Sequence, residues 1–81
     1  MGTDTAAARS VAAGYRLVQA AAHLHRVVDP SGRVIGHVAD HEVDGVRRVI
    51  ARRFHAATGA FVDVGAFWDV DDAVTALHHS R

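Results

Sequence analysis

Asp44-Gly45-Val46-Arg47-Arg48-Val49-Ile50-Ala51-Arg52-Arg53-Phe54-His55-Ala56-Ala57-Thr58-Gly59 (residues 44–59) admits two readings, and the fold turns on which one holds. As a helix, Val46, Val49, Ile50, Phe54 and Ala57 gather on one side, and Thr58-Gly59 supplies a C-terminal stop. As a strand, Arg48, Ile50, Arg52 and Phe54 share one face, while Arg47, Val49, Ala51 and Arg53 share the other. Asp44-Gly45 is then a two-residue hairpin turn with valines on both sides. Periodicity slightly favours the helix; the turn residues favour the strand.

Upstream lies a clearer signal. Leu24-His25-Arg26-Val27-Val28 and Arg33-Val34-Ile35-Gly36-His37-Val38 flank Asp29-Pro30-Ser31-Gly32. Pro30 pre-sets the φ angle of a turn, and Gly32 can take positive φ. With β-branched residues on both sides, residues 24–38 read as a β-hairpin. Further upstream the chain is Ala-rich. Val11, Tyr15, Val18 and Ala22 recur at helical spacing, and Asp4 or Thr5 stands where a cap is needed. A helix over residues 5–22 is expected, with a strand beginning at Tyr15 as the alternative. Gly14 costs that helix about 1 kcal/mol relative to Ala.

Downstream, Ala60-Phe61-Val62-Asp63-Val64 reads as a strand with Gly65 at its end. Asp69 is placed to cap a C-terminal helix in which Val70, Ala73, Val74 and Leu77 fall at i, i+3, i+4 and i+7. Asp71 and Asp72 complement the dipole in the first turn; His78, His79 and Arg81 do so at the far end. The spacing predicts Val74 and Leu77 buried against the sheet. The expected fold is α+β: a short antiparallel meander of three to four strands, with an N-terminal helix and a C-terminal helix packed on the sheet, in one domain spanning 1–81.

Gly59, Gly65, Phe67 and Ala73 give the spacing G-x5-G-x-F-x5-A. This resembles the end of small three-stranded-sheet-plus-helix domains, such as plant AP2-type DNA-binding domains and phage-integrase arm-binding domains. In those domains a last strand runs into Gly-x-Phe and a helix packs over the sheet. The resemblance spans residues 33–78 and implies that Arg47 to His55 is the middle strand, with Phe67 and Trp68 plugging the gap between sheet and helix. Val49 stands where those families place a tryptophan. A second resemblance runs over residues 27–38, which look like the hairpin of a CBS nucleotide-binding repeat. It implies a nucleotide-sensing role, with residues 43–57 as the following helix.

Composition narrows the function classes. The chain has 81 residues, 49% hydrophobic and 22% charged, as in folded globular domains. A domain of this size buries only about 60% of its unfolded surface and usually needs a staple. It has no cysteine, which removes disulfides and thiolate metal sites. Self-association is the expected remedy, with Phe61, Phe67 and Trp68 crowded into one stretch. No apolar run reaches the roughly 18 residues a membrane span needs, and no secretory signal follows Met1, so a cytoplasmic location is expected. All nine basic residues are Arg, and eight of the nine acids are Asp. Arg in place of Lys fits a GC-rich coding genome of the actinobacterial or phage kind. Zero formal net charge argues against strong non-specific nucleic-acid binding.

Arg47, Arg48, Arg52 and Arg53 are the one concentration of basic charge, and they are the candidate partner-binding residues. On a strand, Arg48 and Arg52 project together, as do Arg47 and Arg53. Guanidinium groups suit bidentate contact with carboxylate or phosphate. The expected partner is an acidic protein surface, with nucleic acid as the alternative; Asp40, Glu42 and Asp44 are nearby candidates for ion pairing. His23, His25 and His37 read either as a zinc set or as plain solvent-facing histidines, and Asp69, Asp71 and Asp72 either as a cation site or as capping residues. The plain readings are preferred, so no metal and no cofactor is expected. Ser10, Ser31 and Ser80 lie in no nucleophile context, and there is no Gly-rich phosphate loop. The expected protein is therefore a non-enzymatic interaction or accessory module, with a sheet-reading DNA-binding domain as the alternative.

Overall fold

A computed structural model describes residues 8–10 and 14–80. Five strands form an antiparallel meander: β2 (Arg16–Ala21), β3 (Leu24–Val28), β4 (Val34–Val43), β5 (Val46–His55) and β6 (Ala60–Phe67). A three-residue strand, β1 (Ala8–Ser10), adds to the β2 edge. Each strand pairs with the next in sequence, so the spatial order is the chain order. One helix, α1 (Val70–His79), follows β6 and packs across one face.

Over the described residues the expected N-terminal helix is replaced by strand, and the meander is longer than three or four strands. Ala8–Ser10 and Arg16–Ala21 are strands; residues 5–7 and 11–13 of the expected helix lie outside the described residues. Gly14 takes φ +76°, outside the right-handed α range, so an α-helix does not run through it into Tyr15. Beyond it, Leu17 pairs with Val27 and is buried, while Arg16 is exposed on the other face. Burial of alternate side chains outweighs the helix propensity of the alanines, which is worth only tenths of a kcal/mol per residue.

Residues 46–55 are strand. Asp44 at φ +53° and Gly45 at φ +76° form a turn with both central residues at positive φ, the geometry that matches strand twist. Eight residue pairs then run from Gly36↔Arg53 to Val43↔Val46. The turn before β4 is built by Asp29, which is buried. Its Oδ1 accepts hydrogen bonds from Ser31 N (2.9 Å), Ser31 Oγ (2.6 Å) and Arg33 N (2.9 Å).

Two β-bulges feed the core. Val27 pairs with Gly36 and Val28 with Val34, which leaves Ile35 unopposed and buried. Ala51 pairs with Gly65 and Arg52 with Asp63, which leaves Val64 unopposed and packed on the core. Each bulge thus places one extra apolar side chain in the interior.

Helix α1 begins at Asp69, whose Oδ1 accepts the Asp72 N–H at 2.9 Å. Its buried side chains, Ala73, Val74 and Leu77, lie on Val27, Val38, Val49 and Ala51. The approach is close because of what lies beneath. A Cβ on Gly36 would run into the Arg52 carbonyl and meet Leu77 Cδ2 at 3.1 Å. Tyr15, fully buried, ties β2 to the end of the helix: its hydroxyl lies 2.9 Å from His78 Nδ1. Gly65 is inside β6 rather than at its end. Phe67 packs against the core, but Trp68 is 69% exposed and does not plug the sheet–helix gap.

Candidate functional site

One face of the sheet lies under α1; the other carries no element among the described residues. Successive strand residues point to opposite faces, so the register assigns each side chain. Val18, Arg26, His37, Arg52 and Asp63 form a row across β2 to β6 on the uncovered face. The next row is Leu24, Ala39, Ile50 and Ala66, and the one after is His41 and Arg48. Arg16 joins the same face two residues before Val18. Two basic rows therefore flank a shallow trough floored by small and aliphatic side chains. Arg48 and Arg52, four residues apart on β5, set its width at about 13 Å along the strand.

Charge is unevenly divided between the faces. Arg16, Arg26, Arg48 and Arg52 project on the uncovered side, where Asp63 is the one carboxylate among the described residues. Asp40 and Glu42 alternate to the helix side, opposite Val49 and Arg47, and Asp69, Asp71 and Asp72 lie at the start of α1. Formal neutrality of the whole chain thus conceals a basic face.

Of the four arginines singled out from the sequence, β5 separates two from two. Arg47 and Arg53 are on the helix side and have internal partners. Arg47 Nη2 is 2.9 Å from Asp40 Oδ2, and Arg53 Nη1 donates to the Ser80 carbonyl at 3.0 Å, satisfying the end of α1. Arg48 and Arg52 are on the uncovered face. Arg52 Nε meets Asp63 Oδ1 at 2.6 Å, with both side chains well exposed, so the pair contributes little and is easily exchanged for another anion. Arg48 lies across β6, donating to the Ala66 carbonyl at 2.8 Å, and its Cζ stacks 4.2 Å from the centroid of the Trp68 ring.

Sequence reasoning did not single out Arg16, Arg26, His37 and Trp68 for this face. Arg16 and Arg26 follow by two-residue alternation once β2 and β3 are known to be strands. Among the described residues, neither has an ion pair or a hydrogen bond from its side chain. His37 stacks on Phe61 at 4.2 Å between centroids, and Phe54 tilts against Phe61 at 5.3 Å. Burial, then the charges of Arg52 and Arg26, hold the His37 imidazolium below its ordinary value of 6.5, so the ring is neutral at pH 7. Two side-chain nitrogens are enclosed without a hydrogen-bond partner, His37 Nε2 and Arg48 Nε, and both belong to this face. Enclosed orphan donors of this kind are uncommon in folded proteins.

The histidines weighed as a zinc set are not brought together. His25 pairs with Val38 and points to the helix side, His37 points away from it, and His23 is in the β2–β3 turn. No group of three metal-ligating side chains forms among the described residues. His23, Asp40 and Glu42 line a hollow of about 530 Å3, where Arg47 closes on Asp40. No helix among the described residues is long and apolar enough to cross a membrane.

No known family, no curated protein and no solved structure matches this chain.

Proposed function

We propose that the protein is a non-enzymatic binding module that docks an acidic macromolecule on the uncovered face of its sheet. The observation that carries this reading is the charge division among the described residues: four arginines against one carboxylate on a face that none of them covers. Guanidinium groups suit this role because their forked donors pair with carboxylate or phosphate oxygens at fixed geometry. Trp68 and Phe61, 69% and 41% exposed, sit at the rim of the same face, and exposed aromatic surface next to arginine is the usual composition of a binding hot spot.

Retention on immobilised heparin, a generic polyanion, tests the reading. The wild-type chain is retained at low salt and elutes as salt rises. The double variant Arg26→Ala/Arg52→Ala elutes early with an unchanged melting temperature. Equal elution of the two proteins would overturn the assignment of the face.

Self-association is placed at the β6 edge, which borders this face at Phe61. Two copies meeting face to face would oppose like charges. The outer edge of β6 has no neighbouring strand among the described residues, and Phe61 and Val62 are exposed along it. We therefore place any dimer contact at that edge, and sedimentation at tens of micromolar protein checks it. A monomer mass there removes the edge contact and leaves the polyanion reading standing.

A further inference from the structure

We propose that the occupant of the uncovered face is a single-stranded nucleic acid; this rests on the polyanion reading above and names its ligand class. Charge alone does not separate nucleic acid from an acidic peptide. What separates them is the combination of flat rings with the basic rows. One side of the Trp68 indole is taken by the Arg48 guanidinium, and the ring is otherwise largely exposed. At the other end of β6, His37 and Phe61 are stacked as a pair beside Arg52 and Asp63. Six residues of β6 lie between Phe61 and Trp68, so the two rings are roughly 23 Å apart along the extended chain. Between them runs the trough floored by Ala39, Ile50 and Ala66, with Arg48 on one side and Arg26 and Arg52 on the other.

A single polynucleotide strand matches this layout in each respect. Its phosphates pair with the arginines, its bases cover the apolar floor, and its unstacked π faces lie on the rings; such stacking tolerates any sequence. An acidic peptide satisfies the arginines but brings a flat surface to Trp68 only where it carries an aromatic residue, whereas every nucleotide brings one. A duplex keeps its bases stacked inside and offers these rings nothing without paying for unstacking.

Trp68 is the sole tryptophan, so its fluorescence reports the site directly. The wild-type chain is titrated with oligothymidylate of roughly ten nucleotides, with a duplex of equal length, and with polyglutamate of matching charge. Saturable quenching by oligothymidylate, with weaker binding to the other two probes, is the expected result. In anisotropy measurements on labelled oligothymidylate, Trp68→Ala weakens binding roughly tenfold, and Trp68→Phe retains most of the affinity. Replacing Arg26 and Arg52 by Ala lowers the salt slope by about 0.7 for each arginine. Circular dichroism melts confirm that the variants fold. Tighter binding of polyglutamate or duplex, or oligothymidylate binding without quenching, overturns the single-strand assignment and leaves the polyanion reading intact. Failure of all three probes to bind, together with loss of heparin retention, removes both.

Discussion

The two faces of this sheet are built from the same five strands, and on β5 both alternate arginine with aliphatic residues. On the helix side the interior strand positions are Val27, Val38, Val49 and Ala51, and the peripheral arginines have partners: Arg47 on Asp40, Arg53 on the Ser80 carbonyl. On the other side the arginines outnumber their carboxylates, and two polar nitrogens are enclosed without partners. The difference teaches that an arginine-bearing strand is not by itself a binding element. All four β5 arginines find an acceptor, so the contrast between the faces rests on Arg16 and Arg26, whose side chains have no partner among the described residues.

The comparison breaks most readily at Leu77. If the helix side holds the fold and the open side does not, Leu77→Ala costs about 2–5 kcal/mol, enough to unfold much of a small domain. An unchanged thermal melt would show that α1 does not close the core. Gly36→Ala tests the same side from the sheet. The new methyl group meets the Arg52 carbonyl and Leu77, and a loss of about 1–3 kcal/mol is expected in urea melts. On the opposite face, Arg26→Ala with Arg52→Ala leaves the melting temperature within a few degrees, since exposed ion pairs contribute about 0–1 kcal/mol. A large drop there would make these arginines structural and erase the contrast.

The smallest effect sharpens the contrast by pH. Burial and the neighbouring Arg52 and Arg26 depress the His37 pKa in the folded state. Below 6.5 the unfolded chain then binds more protons than the folded one, so the stability His37 contributes is fully present above that pH. It is lost as pH falls from the unfolded value towards the folded one. His37→Gln should reduce the fall in melting temperature between about pH 7.5 and pH 5.5. An identical fall in both proteins would place the acid sensitivity elsewhere.

Local chemistry made parts of the fold legible. Asp29-Pro30-Ser31-Gly32 announced a hairpin, and the structure shows why: one buried carboxylate accepts three hydrogen bonds within the turn, and Gly32 takes φ +91°. Val70, Ala73, Val74 and Leu77 announced a helix with Asp69 as its cap. For residues 16–21 the preferred helix gives way to the alternative, a strand beginning near Tyr15; pairing with β3 decides the matter, and pairing is non-local. Trp68 was misplaced for a related reason. The spacing of Gly65 and Phe67 looked like a strand exit, whereas β6 continues to Phe67, so Trp68 falls just past the strand and outside the core. The candidate site was half legible. Arg48 and Arg52 could be paired by alternation, but assigning them to the uncovered side required the position of the helix, and recruiting Arg16 and Arg26 required the strand register.

The bulge at Val64 acts as a parity device. With one-to-one pairing continued past Ala51 and Gly65, Arg52 would stand opposite Val64, and Asp63 would turn beneath the helix side beside Arg53. The single unopposed residue shifts the frame, so that Asp63 and Phe61 arrive on the uncovered face while Val64 goes to the core. Pairing β6 without the bulge would exchange which face carries the carboxylate and the ring, whereas deleting Val64 would keep both on the uncovered face and remove one side chain from the core. The spare residue in β6 is thus what lets Val64 reach the core while Asp63 and Phe61 keep their places on the surface.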